Sequence, residues 1–533
     1  MIASALVVAN LILVNGKIWT GDQSKRFVEA VAIEGNRIVA AGTNAEVLAA
    51  APRDAKRIDL AGRLAVPGFI DNHTHFLDGG FQISRVKLRD AATPEDFGLR
   101  LGEFARKAGK GKWITGGEWD EQLWTPYRLP SKQMIDALTP DNPVFVSRLD
   151  GHMALANSVA LKLAGVTRES KDPAGGTIVR DENGEPTGLL KDAAMDAVLS
   201  IIPSATTDER VAAAKAGLGE AARFGVTAFC DMSGGEAYRD LRAYQRLDLS
   251  ARVYLFTPLS EYERLERANI EKRFGSERLR IGALKGFADG SLGSSTAAFF
   301  EPFVGEPDNR GLMMESLTDG TMRRRITDAN ASNLHIGIHA IGDRANDEVL
   351  KIFESLPHHR GRRLRIEHAQ HLNDALIKRF AAGGVIASMQ PYHAIDDGRW
   401  AEKKIGPDRI KGTYAFRSLL DAGVMLTFGS DWTVAPLNPL LGIYAAVTRR
   451  TIDGKNPNGW VPEQKITVEE ALRCYTVNNA YAMWMENEIG KIAPGMLADI
   501  AVLSDDLFTI APEKIENVKI DLTIFDGRVI FTR

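Results

Sequence analysis

VPGFIDNHTHF, residues 66–76, is an apolar run that opens on Pro67 and Gly68 and ends on two histidines one residue apart, His73 and His75. On an extended strand, side chains at i and i+2 share a face, so the two imidazoles can reach one ion together. They can equally form a hydrogen-bonded pair inside a core. What stands at the ends of the other apolar runs separates the two readings.

Seven such runs follow: GVTAFCDM (225–232), ARVYLFTP (251–258), IGALKGFADG (281–290), LHIGIHAIGD (334–343), RLRIEHAQ (363–370), GVIASMQP (384–391) and VMLTFGSD (424–431). The connections contain helical segments such as DERVAAAKAGLGEAARF and ITVEEALRCYTVNNAYAMW, the second opening on a capping box from Thr467 to Glu470. Strands alternating with helices predict a parallel sheet of the α/β class. With AVPGFIDNHTHF (65–76) they number eight, which closes a (β/α)8 TIM barrel.

Residues 77–204, between the first and second strands, are far too many for one helix and its loops. They predict an inserted subdomain after barrel strand one, expected to cover the substrate. Residues 1–64 and 485–533 have a different texture, with β-rich runs such as NLILVNGKIWTGD and FVEAVAIEGNRIVAAG, broken by NG, GN and AG turn signals, and VKIDLTIFDGRVIFTR, which repeats it. They predict one small β-sandwich built from both chain termini, leaving 65–76 and 205–484 to the barrel.

Composition sets the outer bounds. The 533 residues are 44% hydrophobic and 25% charged, with a formal net charge of −3, so the chain has material for a large core and no basic face for nucleic acid. Two cysteines, Cys230 and Cys474, supply neither a disulfide framework nor a Cys-based zinc site, and any metal must use His, carboxylate or modified Lys. The apolar opening MIASALVVANLILVNGKIW lacks a basic leader and is expected to be a strand. Nothing else approaches a membrane span, which predicts a cytoplasmic protein with no membrane partner.

In a (β/α)8 enzyme the catalytic groups stand at the C-terminal strand ends. Here those ends carry His73 and His75 on the first strand, Lys285 and Asp289 on the fourth, His339 on the fifth, His368 on the sixth and Asp431 on the eighth. His339 and His368 can complete a metal shell or be buried histidines bonded to backbone. Asp431 can ligate and shuttle a proton, or cap the following helix. Lys285 as an ammonium would be repelled by a cation, but as a carbamate it would be an anion able to bridge two ions; otherwise it snorkels or pairs with Asp289. Lys191, in PTGLLKDAAM, is a rival for that role but falls in the insertion, where a helix is expected.

The ordered set PGFIDNHTH, DGHMALANS, ALKGFADGSLGSSTA, IHAIGDRAND, RIEHAQ, FGSDW and KIAPGMLADIAVL resembles the amidohydrolase superfamily, and within it the N-substituted formamide deformylase-like branch (amidohydrolase family 3). The resemblance spans essentially the whole chain. It implies a distorted barrel beside a β-sandwich and a centre of one or two divalent metal ions, usually zinc. His73 and His75 would bind the more buried ion, carbamylated Lys285 would bridge, His339 and His368 would hold the second ion, and Asp431 would ligate the first. His152, in LDGHMALANS, matches a histidine that faces the substrate and is taken as catalytic with Asp431; its alternative is a packing or capping role. Ser295 stands where related sequences commonly have an Arg, which puts an anionic-substrate contact in doubt.

The expected reaction is hydrolysis of a non-peptide C–N bond, amide, N-formyl or N-acyl, in a small molecule, by a metal-activated hydroxide. A heterocycle deaminase and an ester or lactone hydrolase are the alternatives on the same site. Deaminases of the superfamily carry a Glu three residues after the strand-five His, whereas His339 is followed by Ala340, Ile341 and Gly342. A scaffold that had lost its chemistry would have lost ligands, and this chain retains the set. Trp113, Trp119, Trp124 and Tyr127 either form the insertion's own core or line an apolar pocket for an uncharged or aromatic amide. A homodimer is compatible with all of this.

Overall fold

In the computed structural model, which describes residues 10–50, 52, 54–121, 124–148, 153–173, 176–232 and 236–533, eight parallel strands run in sequence order around a barrel. They are β1 (Phe69–Thr74), β2 (Val226–Asp231), β3 (Arg252–Pro258), β4 (Leu279–Phe287), β5 (His335–Ala340), β6 (Arg365–His368), β7 (Ile386–Met389) and β8 (Leu426–Phe428). The ring closes just beyond the strand ends. Asp431 N–H donates to His73 O at 2.7 Å, His75 N–H donates to Trp432 O at 2.6 Å, and Thr74 bridges Trp432 in parallel.

The strands read as unbroken apolar runs because they are covered on both faces; β2, VTAFCD, is buried at every position. The helices outside obey the 3.6-residue period. Asp343–Glu354 buries Ala345, Asn346, Val349, Leu350, Ile352 and Phe353, leaving its charged residues to the other side. Asp374–Gly383 is capped by Asn373, which accepts from Leu376 N–H, and stops at Gly384 in the left-handed region.

The stretch read as one strand over 65–76 belongs to two sheets. Leu64–Pro67 pairs with Ile500–Leu503 and Lys17–Trp19, and the barrel strand starts only at Phe69. The chain crosses at Gly68, where a Cβ would lie 2.2 Å from Thr227 Oγ1, a contact that no other residue type could make. Leu64–Pro67 thus joins a six-stranded sheet of N- and C-terminal strands, and a four-stranded sheet of N-terminal strands packs with it around Leu13, Ile18, Val31, Ile33, Ile500 and Val502. The strand expected at the extreme N-terminus is observed at Leu11–Val14; residues 1–9 lie outside the described residues. Arg252, at the start of β3, fastens sandwich to barrel through Asp499 (2.8 and 3.0 Å) and Asp526 (2.9 Å), all three buried.

The segment ITVEEALRCYTVNNAYAMW is two helices, Val468–Cys474 and Val477–Ala482. The capping box on Thr467 is present, and Thr476 breaks the run at φ −134°. The break lets Asn479 donate to Ile70 O at 2.5 Å and Phe428 O at 2.7 Å, tying β1 to β8.

Gly80–Ala213 forms a second compact unit with its own six-stranded sheet. Trp119 and Trp124 are buried with Phe97 and Leu101 in one of its cores, and Trp113 packs partly buried against the other, whereas Tyr127 is exposed. The tryptophans are therefore core residues of this unit. Lys191 lies on the strand Pro186–Asp192, paired with Met153 and Thr177, not on the expected helix; strands on both sides of PTGLLKD override its local pattern. Among the described residues no helix is long and apolar enough to cross a membrane.

Candidate metal centre

His73, the fifth residue of β1, is fully buried, and its two ring nitrogens have different partners. Nδ1 lies 2.7 Å from Glu367 Oε2. Glu367 stands two residues beyond Arg365 on β6, and the extended backbone puts both on one face. Arg365 Nε and Nη2 donate to its two oxygens at 2.7 and 3.0 Å. Burial pushes the Glu367 carboxyl up, but Arg365 and His73 outweigh it and hold it well below the usual range. An anionic carboxylate only accepts, so His73 Nδ1 carries the proton and the lone pair of Nε2 faces the barrel mouth. There it meets Lys285 Nζ at 3.2 Å and Asp431 Oδ1 at 3.6 Å.

His368 is held in the same way. Gln390 Oε1 accepts from its Nδ1 at 2.8 Å, which leaves Nε2 free, and its ring centre is 4.8 Å from that of His73. His368 and Asp431 both have left-handed backbones, φ 72° and 58°. Conformations this unfavourable for side-chain-bearing residues persist where the surroundings over-determine them, and here they turn both side chains to one point. Nitrogens and oxygen of His73, His368 and Asp431 fall within 4.8 Å of one another. His75 Nε2 stands 3.3 Å from Asp431 Oδ1, which is buried and accepts no hydrogen bond.

His339 faces His368, ring centres 4.5 Å apart, and its Nε2 donates to Gly290 O at 3.0 Å, so Nδ1 is the nitrogen left for a ligand. Asp289 does not pair with Lys285. Its oxygens accept the backbone N–H groups of Ile341 (3.0 Å), Gly342 and Ala298 (both 2.8 Å), binding the loops after β4 and β5 together. Of the residues singled out from sequence, His73, His368 and Asp431 form the tight group. His75 and Lys285 touch it and His339 flanks it, whereas His152 lies outside the described residues. The tight group crosses the division expected from sequence, which put His368 on a different ion from His73 and Asp431.

Electrostatics follow from burial. Burial and the Lys285 charge lower His73 to about 4, and burial, with the repulsion that two protonated imidazoles would suffer side by side, lowers His368 well below its usual value. Burial lowers Lys285 to about 8 against the pull of Glu367 and Asp431. Asp431 is raised by burial but pulled further down by His75, His73, His368 and His393, so it is a carboxylate. Two neutral imidazoles with free Nε2 atoms, beside a carboxylate with an orphaned oxygen, suit a divalent ion of the zinc type. Above them opens a cavity of about 420 Å³, walled by Phe287, Leu292, Ile341, Trp400 and Val434 and by the polar His393, Gln370, Asp396 and Asp397.

Arg365, Glu367, Gln390 and His393 escaped the sequence reading. Two charged residues at i and i+2 in RIEH, on a strand otherwise buried, were a usable signal for the first two. His393 stands on the helix Pro391–Asp397 after β7, beyond the strand end where ligands were sought.

A barrel with this cluster at its mouth defines a hydrolase class. The amidohydrolase family model matches residues 56–531. The chain is 39% identical over 518 residues to Protein LONG AFTER FAR-RED 3 of Arabidopsis thaliana, covering 93% of this chain and 88% of that one. It is 28% identical over 553 residues to the N-substituted formamide deformylase of Arthrobacter pascens, covering 98% of each. The crystal structure of an uncharacterized metal-dependent hydrolase from Pyrococcus horikoshii OT3 superposes with a TM-score of 0.79 at 28% identity, covering 94% of this chain and 99% of that one. The chain belongs to the amidohydrolase family, enzymes that hydrolyse carbon–nitrogen bonds other than peptide bonds.

Proposed function

We propose that this protein is a metal-dependent hydrolase of small neutral N-substituted amides, N-formyl or N-acyl, releasing an amine and a carboxylic acid. The convergence of His73, His368 and the orphaned oxygen of Asp431 beneath an apolar-walled cavity carries the reading. Full-length similarity to an N-substituted formamide deformylase supports the bond type.

In this reading His73, His75, His339, His368 and Asp431 would supply the donors for one or two divalent ions, most simply zinc, with His73, His368 and Asp431 the set that stands closest together. The Lys285 amine, with its pKa lowered by burial to about 8, would add to carbon dioxide with loss of one proton and, as the carbamate, supply an anionic oxygen donor to the metal. A divalent ion bound there supplies Lewis acidity to the carbonyl oxygen and lowers the pKa of water toward neutrality. Asp431 then takes the proton of the attacking water and delivers it to the departing nitrogen, which makes an amine a tolerable leaving group.

The test is a panel of neutral N-alkyl and N-arylalkyl formamides and acetamides, cyclic amides and matched esters, assayed with the zinc- or manganese-loaded protein. Turnover of amides is expected; activity confined to esters would overturn the C–N assignment.

A further inference from the structure

The wall of the cavity carries a feature that the reaction above does not use. His393 lines the cavity with its Nε2 shielded from solvent and without a hydrogen-bond partner. His393 stands on the helix Pro391–Asp397, whose Asp396 and Asp397 line the same cavity, as does Asp431 of the cluster. A buried ring nitrogen with nothing to bond is costly unless a ligand completes it.

The two aspartates of this wall are each held by side-chain contacts. Asp397 Oδ2 accepts from Gln370 Nε2 at 2.8 Å and from the buried Tyr414 hydroxyl at 2.6 Å, while Asp396 pairs with Arg399. Trp400 N–H donates to Asp397 O at 2.9 Å, and the edge of its indole lies over Gly293, where a Cβ would stand 3.7 Å from the ring. Phe287 is half exposed across the same space. Apart from Lys285 at the cluster, no Lys or Arg is among the described lining residues, and Lys404 is tied to Ser295 Oγ at 2.6 Å.

We propose that His393 and Trp400 form the substrate-binding subsite of this enzyme. His393 Nε2 hydrogen-bonds the amide, Trp400 carries an arene on the nitrogen substituent, and the Asp396–Asp397 wall excludes substituents bearing a carboxylate. The inference rests on the amide-hydrolase reading for the identity of the ligand, but its test does not require turnover.

N-Phenethylurea keeps the carbonyl, the N–H and the arene of such an amide while resisting hydrolysis, so its affinity for the metal-loaded protein reads the subsite directly by saturation-transfer NMR titration. N-Methylurea and 4-(2-ureidoethyl)benzoate serve as matched probes lacking the arene and bearing a carboxylate. The expected results are at least tenfold weaker binding of the benzoate and at least tenfold weaker phenethylurea binding in W400A, with methylurea unaffected. H393F should weaken both neutral ureas about tenfold, and H393Q, which restores a polar atom at similar reach, should recover most of the loss. Undiminished phenethylurea binding in W400A and H393F, equal binding of the benzoate, or no rescue by H393Q would overturn the subsite. A protein that binds the ureas as expected but hydrolyses no amide loses the proposed reaction and keeps the subsite; one that hydrolyses amides with none of these effects loses the subsite alone.

Discussion

The backbone N–H of Asp431 donates to the carbonyl oxygen of His73 at 2.7 Å, so one of the hydrogen bonds that close the barrel joins two residues whose side chains also meet, Nε2 to Oδ1, at 3.6 Å. Closure of the fold and assembly of the site are one event. Gly429, two residues earlier, is part of it, since a Cβ there would stand 2.6 Å from His73 N.

Asp431→Asn keeps this backbone bond and tolerates the left-handed φ of 58°, because Asn adopts that region readily. It removes the proton acceptor while leaving an oxygen for a metal. Turnover of the best amide should fall about 10³-fold, with metal content by mass spectrometry largely retained. A rate near that of the unaltered enzyme would refute the proton-shuttle role.

Glu367→Gln tests how His73 is aimed. The substitution leaves Arg365 buried without its anion, which should cost about 3–5 kcal/mol of stability. It also removes the obligate acceptor at His73 Nδ1, so zinc affinity, measured by chelator competition, should drop about 10–100-fold. Unchanged zinc affinity in a folded variant would mean that Glu367 serves the barrel floor alone.

How much of this was legible in sequence depends on what each residue answers to. The eight strands were readable because strands covered on both faces are locally apolar, and His73, His75, His339, His368 and Asp431 were readable because they stand at the ends of those strands. The seam at Gly68 was missed although the breaker pair Pro67-Gly68 stands on it, because a Pro-Gly inside an apolar run signals an interruption but not that the two halves join different sheets; the approach of Thr227 fixes that. The helix break at Thr476 and the strand at Lys191 were likewise imposed by partners distant in sequence, Ile70 and Phe428 in one case and Met153 in the other. His393 lies one helical turn past its strand, where the strand-end rule does not look.

Lys285→Met separates a carbamate from a structural lysine. The Lys285 amine, buried and lowered to about 8, is neutral often enough near physiological pH to add to carbon dioxide. Zinc uptake by the metal-stripped protein should therefore rise with added bicarbonate in the unaltered chain and be indifferent to it in the variant. Equal uptake with and without bicarbonate in the unaltered chain would remove the carbamate from the reading.

Acid stability offers a test away from the metal centre. His335 and His371 are buried, and burial, reinforced by the Arg365 charge at His335 and the Arg409 charge at His371, lowers each from 6.5 to about 3. The folded protein keeps both neutral down to that pH, whereas the unfolded chain protonates them near 6.5. Below 6.5 the unfolded state binds more protons, so stability is full above that value and falls as pH drops toward 3. Between pH 7.5 and 5.5 each histidine should remove about 1.4 kcal/mol. His335 Nε2 donates to Arg363 O at 3.0 Å, a bond that glutamine can reproduce without titrating. Urea unfolding of His335→Gln at the two pH values should lose about 1.4 kcal/mol less than the unaltered protein, and an identical loss would mean that His335 does not drive the acid sensitivity.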